Sequence, residues 1–200
     1  NNFMSASTGD KWVSTDFGGL QRFNPLTNTW TNFYSIPGGD VICHAFEADE
    51  DIAGNIWVIT HPNPMVGTQY GVEIFKFDGT TFTQYTNPGN YYFKELYCDQ
   101  NGYTWFLTTD RICRFDGSNW IFFDAFNTNL PGNAIEIQFD SNGDLWALVD
   151  ATPGFYICKL VGANYQITYC PTMTNTPAGF DINKSTGHVV IYGGDDLISY

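Results

Sequence analysis

The feature that most limits what this chain can become is one turn written five times. DIAGNIW (51–57), DQNGYTW (99–105) and DSNGDLW (140–146) are near copies, ASTGDKW (6–12) keeps the Gly and the Trp, and KSTGHVV (184–190) keeps the Gly with a Val. The copies begin at 6, 51, 99, 140 and 184, so they recur every 41 to 48 residues. A self-similar period of that length marks a repeat architecture, in which no unit buries its apolar surface alone and neighbours stack to do so.

A second marker follows each of the first four copies: FNPLTNTW (23–30), FDGTTF (77–82), FDGSNW (115–120) and LVGANY (160–165). Both kinds of marker join two apolar runs. Gly and Asn in such places supply the positive φ of tight hairpins, and an Asp or Ser side chain holds the turn's backbone N–H groups. The glycines expected to take this role in the first marker are Gly9, Gly54, Gly102, Gly143 and Gly187. The runs between turns, such as AIEIQF (134–139), LWALV (145–149), FYICKL (155–160) and YQITY (165–169), are short and rich in β-branched and aromatic residues, which predicts strands. Each period then holds four strands, A to D, with the turn between A and B and the Trp on B. No stretch carries a sustained helical period or a helix start.

Four strands per period with a large apolar residue at one fixed place describe a β-propeller blade, whose sheet must bury both faces. The expected fold is all-β, a propeller of four-stranded antiparallel blades. One domain over 1–200 would carry repeats at about 1–34, 41–85, 93–123, 134–169 and 179–200. Trp12, Trp57, Trp105 and Trp146 would fill the space between adjacent sheets. Four complete blades and three strands of a fifth leave an unpaired edge, so the chain is expected to be part of a longer protein with more blades.

Aromatic residues make up 18% of the chain and charged residues 14%, a composition suited to an interior of large rings. The net charge of −13 argues against nucleic acid and anionic membrane as partners, because both are met with Lys and Arg. No apolar run is long enough to span a bilayer as a helix. The five cysteines, 43, 98, 113, 158 and 170, show no C-x-x-C spacing and read as small buried residues rather than metal ligands. Cys158 and Cys170 flank one hairpin and are candidates for diagonal neighbours across it.

DIAGNIWVIT, DQNGYTWFLT and DSNGDLWALV, with GLQRF, VEIFKFDG and ICRFDG downstream, resemble the propeller repeats of the sensor regions of hybrid two-component regulators and of many exported bacterial proteins. The resemblance covers nearly the whole chain. It implies the fold firmly and function weakly, because a propeller hosts binding, sensing and catalysis alike. In this alignment the first and last copies lack the Asp, and the last lacks the Trp.

The three histidines, His44, His61 and His188, stand in different repeats with no metal or triad spacing, and no cofactor or metal is expected. His188 occupies a turn position. Two polar groupings remain. Ten residues before the Trp of three repeats stand Glu47, Glu95 and Glu136, one strand position that could form an acidic arc for a cation or a basic side chain. From the strand-B Trp to the strand-C Phe or Leu the span is 11, 20, 10 and 14 residues in the four repeats, the longest containing THPNPMVGTQYG (60–71). His61, Asn63, Met65 and Tyr70 from that insertion, with Tyr91 and Tyr92 from the following D–A loop, are the candidate contact residues, since binding collects on loops that a scaffold leaves free.

The expected function is a non-catalytic interaction module of an exported or cell-surface bacterial protein that holds a protein partner through this loop face. The ligand-sensing portion of a receptor, with a carbohydrate as ligand, is the alternative that the family resemblance implies, and a propeller lyase is a second. The same resemblance places the protein in the periplasm, at the cell surface or outside the cell.

Overall fold

The computed structural model describes residues 2–15, 18–34, 45–60, 73–89, 91–124, 129–161, 164–170, 177–183, 185–193 and 196–199, and of residues 161, 164–170 and 196–199 only the backbone. Nineteen strands and no helix occur among the described residues. The first sheet is β1 (Asn2–Ser5), β2 (Lys11–Thr15), β3 (Gly19–Asn24) and β4 (Thr29–Phe33), and the second is β5 (Ala45–Glu50), β6 (Ile56–Thr60), β7 (Glu73–Phe77) and β8 (Phe82–Tyr85). A third follows with β9 (Glu95–Cys98), β10 (Thr104–Leu107), β11 (Ile112–Phe115) and β12 (Trp120–Phe123). The fourth holds β13 (Asn133–Phe139), β14 (Leu145–Ala151), β15 (Gly154–Val161) and β16 (Asn164–Cys170), and the last holds three strands, β17 (Gly179–Ile182), β18 (Val189–Gly193) and β19 (Asp196–Ser199). In every sheet the strands lie in chain order and neighbours such as β1–β2, β5–β6, β13–β14 and β17–β18 run antiparallel, as hairpin connections require. The chain divides into two compact units, Asn1–Phe106 with Phe115–Ser118 and Leu107–Arg114 with Asn119–Tyr200.

The turn between the first two strands works the same way in three sheets. Asp51, Asp99 and Asp140 each accept two backbone N–H groups through Oδ1: Ala53 and Asn55, Asn101 and Tyr103, Asn142 and Asp144, all at 2.8–3.0 Å. Oδ2 of each then accepts the indole N–H of the Trp six residues on, at 3.0 Å to Trp57, 2.8 Å to Trp105 and 2.9 Å to Trp146. One carboxylate therefore fixes both the turn and the orientation of the large ring. Gly9, Gly54, Gly102, Gly143 and Gly187 all have φ between +74° and +90°, the left-handed conformation expected of them.

The fifth copy departs from its alignment. Strand register places Asn183, not Lys184, opposite the role of Asp140, because Asp181 pairs with Val190 as Gln138 pairs with Trp146. Asn183 Oδ1 accepts the N–H groups of Ser185 and Thr186 at 3.0 and 3.2 Å, and its own N–H reaches His188 O at 2.8 Å. The turn is one residue longer, and a side-chain amide replaces the carboxylate. Counting from Gly187 alone conceals this.

In the first unit the Trp of one sheet meets aromatics of the next. Trp12 stacks on Phe33 at 5.7 Å and meets Phe77 of the second sheet edge-on at 5.9 Å. Trp57 repeats the arrangement with Tyr85 at 4.9 Å and Phe115 at 6.1 Å. The Phe that opens each FDG marker is thus the ring that the preceding Trp requires. In the second unit Trp146, Ile135 and Phe155 pack on a core of Leu148, Ile157, Phe180, Ile182, Val189 and Ile191 from the fourth and fifth sheets.

One face breaks the pattern. Phe3, paired with Val13, is 62% exposed, whereas residues at the same register, Ala48 (paired with Val58), Ile137 (with Ala147) and Phe180 (with Ile191), are 4, 0 and 0% exposed. The second sheet covers only the opposite face of the first, where Met4, Trp12 and Leu20 pack against Ala48, Val58 and Phe75.

Cys98, Cys113 and Cys158 are free thiols. Burial pushes the Cys98 thiol far up and those of Cys113 and Cys158 to about 12, so they are inert apolar fillers at neutral pH. The Cys43 side chain lies outside the described residues. Cys158 pairs with Ile167 and Cys170 with Phe155, so the two cysteines stand three register positions apart and are not the diagonal neighbours expected of them.

Asp99 is the most buried of the three turn carboxylates, and all three of its acceptances are from the turn amides and the Trp105 indole. Asp99→Ala is expected to cost about 2–3 kcal/mol, since it orphans the buried Trp105 N–H and two turn amides. Asp99→Asn, which keeps the acceptor for the amides, should cost less. Urea unfolding followed by Trp fluorescence measures both.

Candidate functional site

Of the residues proposed for the loop face, His61, Asn63, Met65 and Tyr70 lie outside the described residues, as does His44. Tyr91 and Tyr92 are described. Asn87 clamps the backbone of Tyr91, accepting its N–H at 3.0 Å and donating to its carbonyl at 2.8 Å. The Tyr91 ring lies over Gly89, where an added Cβ would come within 2.6 Å of it. Held in this way, the turn presents Tyr92 outward at 52% exposure. The arrangement offers one amphipathic ring on a fixed backbone, a low-entropy contact for a protein or a sugar.

The three carboxylates at the shared strand position are engaged. Glu47 accepts from Asn2 Nδ2 across to the first sheet. Asn2 stands at the same strand position as Glu47, opposite Ser14 as Glu47 is opposite Ile59 and Glu136 opposite Leu148. Glu136 accepts the N–H of Phe180 in the fifth sheet at 2.9 Å, and Gln138 donates to Glu136 Oε1 at 3.0 Å and to the Phe180 carbonyl. Glu95 accepts from the Tyr97 hydroxyl at 3.4 Å. A bulge sits just before Glu47, between it and Ala45, and again between Ala134 and Glu136, turning each carboxylate out of strand alternation. Gly179 occupies the fifth sheet's version of the position. A Cβ there would stand 2.6 Å from Glu136 Oε2, so the absence of a side chain is what admits the carboxylate. Asp49, two residues on from Glu47, likewise accepts the N–H of Cys98 at 2.7 Å. First strands are therefore fastened to first strands by side chains at two alternating positions. Glu47 and Glu95 belong to one compact unit and Glu136 to the other.

Burial raises the Glu47 carboxyl to about 7 and raises that of Glu136, against the hydrogen bonds that Asn2, Gln138 and Phe180 supply. Asp51 and Asp140 go the other way. Burial opposes their ionisation, but the indole and turn N–H donors, with Lys159 at Asp140, hold both below the ordinary value.

A cation accompanies the second-strand Trp in three sheets. Arg22, Lys76 and Lys159 pair across the strands with Trp12, Trp57 and Trp146, and their charged groups lie 5.8, 5.6 and 5.2 Å from the ring centroids. Arg114 precedes Phe115 in sequence as the others precede Phe23, Phe77 and Leu160, so one position takes half of the chain's 8 Lys and Arg. Lys159 is shared by two carboxylates, Asp140 at 3.1 Å and Asp144 at 2.7 Å. Among the described residues no group of three His, Cys, Asp or Glu is arranged to hold a metal ion, and His188 is an exposed turn residue.

No family model and no curated protein matches the sequence. Solved structures do match in three dimensions. The virginiamycin B lyase of Staphylococcus aureus superposes with a TM-score of 0.70 at 15% identity, over 99% of this chain and 68% of the lyase. The extracellular domain of a hybrid two-component system of B. thetaiotaomicron gives 0.67 at 18% identity, over 98% of this chain and 26% of that one. PorZ, a surface component of the type-IX secretion system of Porphyromonas gingivalis, gives 0.70 at 15% identity, over 100% and 31%. The chain thus has a propeller-type fold. It spans about two thirds of the lyase and less than a third of the other two proteins.

The Glu47 carboxyl makes stability depend on pH. A raised carboxyl favours the neutral form in the folded state, so its contribution is full below about pH 4.5 and is lost as pH rises through about 7. Discounted for partial exposure, the loss is about 1–2 kcal/mol, or a few degrees of melting temperature. Glu47→Gln, which still accepts from Asn2, should flatten the melting profile between pH 5 and 8, and an unchanged slope would contradict the assignment.

Proposed function

We propose that the chain is a non-catalytic interaction module of an exported or cell-surface bacterial protein, binding a protein partner through the loops that follow its Trp-bearing strands and link successive sheets. The observation that carries this reading is how the polar side chains are spent. Asp51, Asp99 and Asp140 fix turns and rings, Glu47 and Glu136 fasten sheet to sheet, and the cations sit over the Trp rings. The segment that varies most in length between repeats is the 60–71 insertion, and Tyr92 of the following inter-sheet loop is half exposed. PorZ and the two-component extracellular domain support an external location through fold likeness.

Carbohydrate sensing is the second reading, favoured by the outward Tyr92 ring on its clamped turn, which suits stacking on a sugar face. A lyase activity, suggested by the S. aureus fold relative, is the remaining one.

Replacing residues 62–69 with a short Gly-containing turn, together with Tyr92→Ala, tests the proposal. The melting temperature should hold, while cross-linking to envelope proteins should fall at least tenfold. Retention on a glycan array that these changes abolish would move the assignment to sugar sensing, and turnover of a streptogramin B antibiotic would move it to catalysis. Recovery of the native protein in the cytoplasmic fraction would overturn the external location.

A further inference from the structure

The first repeat keeps the turn of the other copies without its carboxylate. Ala6 stands where Asp51, Asp99 and Asp140 stand, and the backbone bonds are the same: Ala6 N–H to Asp10 O and Gly9 N–H to Ala6 O, both 2.9 Å, as Asp51 N–H to Asn55 O and Gly54 N–H to Asp51 O, both 2.9 Å. The Trp and the cation are also kept. Trp12 and Arg22 pair across the strands, with the guanidinium 5.8 Å from the ring centroid. Only the acceptor between them is missing.

Its place is a cleft of about 80 Å³ whose walls include Ala6, Thr8, Asp10, Trp12, Arg22 and Glu50. No described residue accepts from the Trp12 indole N–H. Arg22 Nε is buried without a hydrogen-bond partner, 3.9 Å from Asp10 Oδ2. A buried donor such as this Nε–H is almost always satisfied, and Asp10 at 3.9 Å balances the charge without accepting a hydrogen bond. Glu50 does not serve them, because its two oxygens accept from Ser7 N–H at 2.6 Å and Ser7 Oγ at 2.8 Å. The volume exceeds what one water needs several times over, so the cleft has room for a carboxylate on a short stem.

We propose that this cleft binds a carboxylate from outside the repeat, a short-chain acid or an acidic side chain, its oxygens taking the Trp12 N–H and the Arg22 Nε–H as Asp oxygens do elsewhere. Asp10 nearby does not forbid it. The fourth repeat builds the same arrangement permanently: Asp140 Oδ2 accepts both Trp146 Nε1 at 2.9 Å and Lys159 Nζ at 3.1 Å while Asp144 holds Lys159 at 2.7 Å. Two carboxylates about one cation over a Trp ring is therefore a combination this fold already tolerates. Planar guanidinium in place of the ammonium suits a carboxylate still better.

The site is tested on the 200-residue chain with sodium acetate and with N-acetyl-aspartate amide, against sodium chloride at equal ionic strength. The readouts are the ¹H–¹⁵N indole signals and the melting temperature. Saturable movement of the Trp12 indole signal at millimolar acetate or aspartate amide, with the Asp-bonded Trp57, Trp105 and Trp146 signals still, supports the proposal. Tighter binding of acetate identifies a free acid as the ligand, and tighter binding of the amide a partner's side chain. Ala6→Asp should raise the melting temperature and abolish the response. Arg22→Gln, which keeps the stem but not the charge, should weaken binding at least tenfold and decides the matter should Ala6→Asp not fold. A Trp12 signal that moves equally with chloride, or a response that survives in Arg22→Gln, overturns the proposal.

Discussion

A single carboxylate oxygen on a Trp indole N–H is the contact on which the sheets depend. The large ring between two sheets is useful only in one orientation, and the Asp of the preceding turn sets it by accepting that N–H while its other oxygen shapes the turn. Turn and core are in this way coupled through one residue. With the ring fixed, the strand-C Phe of the next sheet has a flat surface to meet, as Phe77 meets Trp12 and Phe115 meets Trp57. The cation across the strand then covers the other part of the ring. Local hydrogen bonding, aromatic packing and charge placement all serve the same side chain, which is the consistency that makes a repeat foldable.

The sheets are joined a second time along their first strands, by polar groups. Asn2 donates its side-chain amide forward to Glu47 of the next sheet, whereas the Cys98 and Phe180 N–H groups donate back to Asp49 and Glu136 of the sheet before, the last opposite a glycine. A bulge makes the reach possible in two of the sheets. Apolar burial holds the sheets together broadly, and these directional bonds set their register.

Much of this was legible in the sequence, because the period, the turn glycines and the strand-B Trp are local signals that repeat. The strands lie where the alternation of β-branched and aromatic residues put them, and the Glu position was visible by counting back from the Trp. What sequence concealed were roles that depend on register between strands. Asn2 belongs to the Glu position but shares no residue type with it. Asn183 replaces the turn Asp but is displaced by one inserted residue, so alignment on Gly187 passes over it. The cations before Phe23, Phe77, Phe115 and Leu160 were present in the quoted repeats, and their number against only 8 Lys and Arg was the signal that could have identified them. Loop function is the least legible, since no periodic constraint acts on residues such as Tyr92.

The Phe3 face of the first sheet has a consequence of a different kind. Phe3 occupies a register position that is buried in three other sheets, so an interior type of side chain is exposed there in the 200-residue chain. Net charge of −13 keeps whole molecules apart at low ionic strength, but that repulsion fades within about 10 Å once salt is present, whereas apolar attraction does not. In the 200-residue chain, Phe3 is therefore a place where a dye that fluoresces on apolar surface is expected to bind, and added salt favours that contact over charge repulsion.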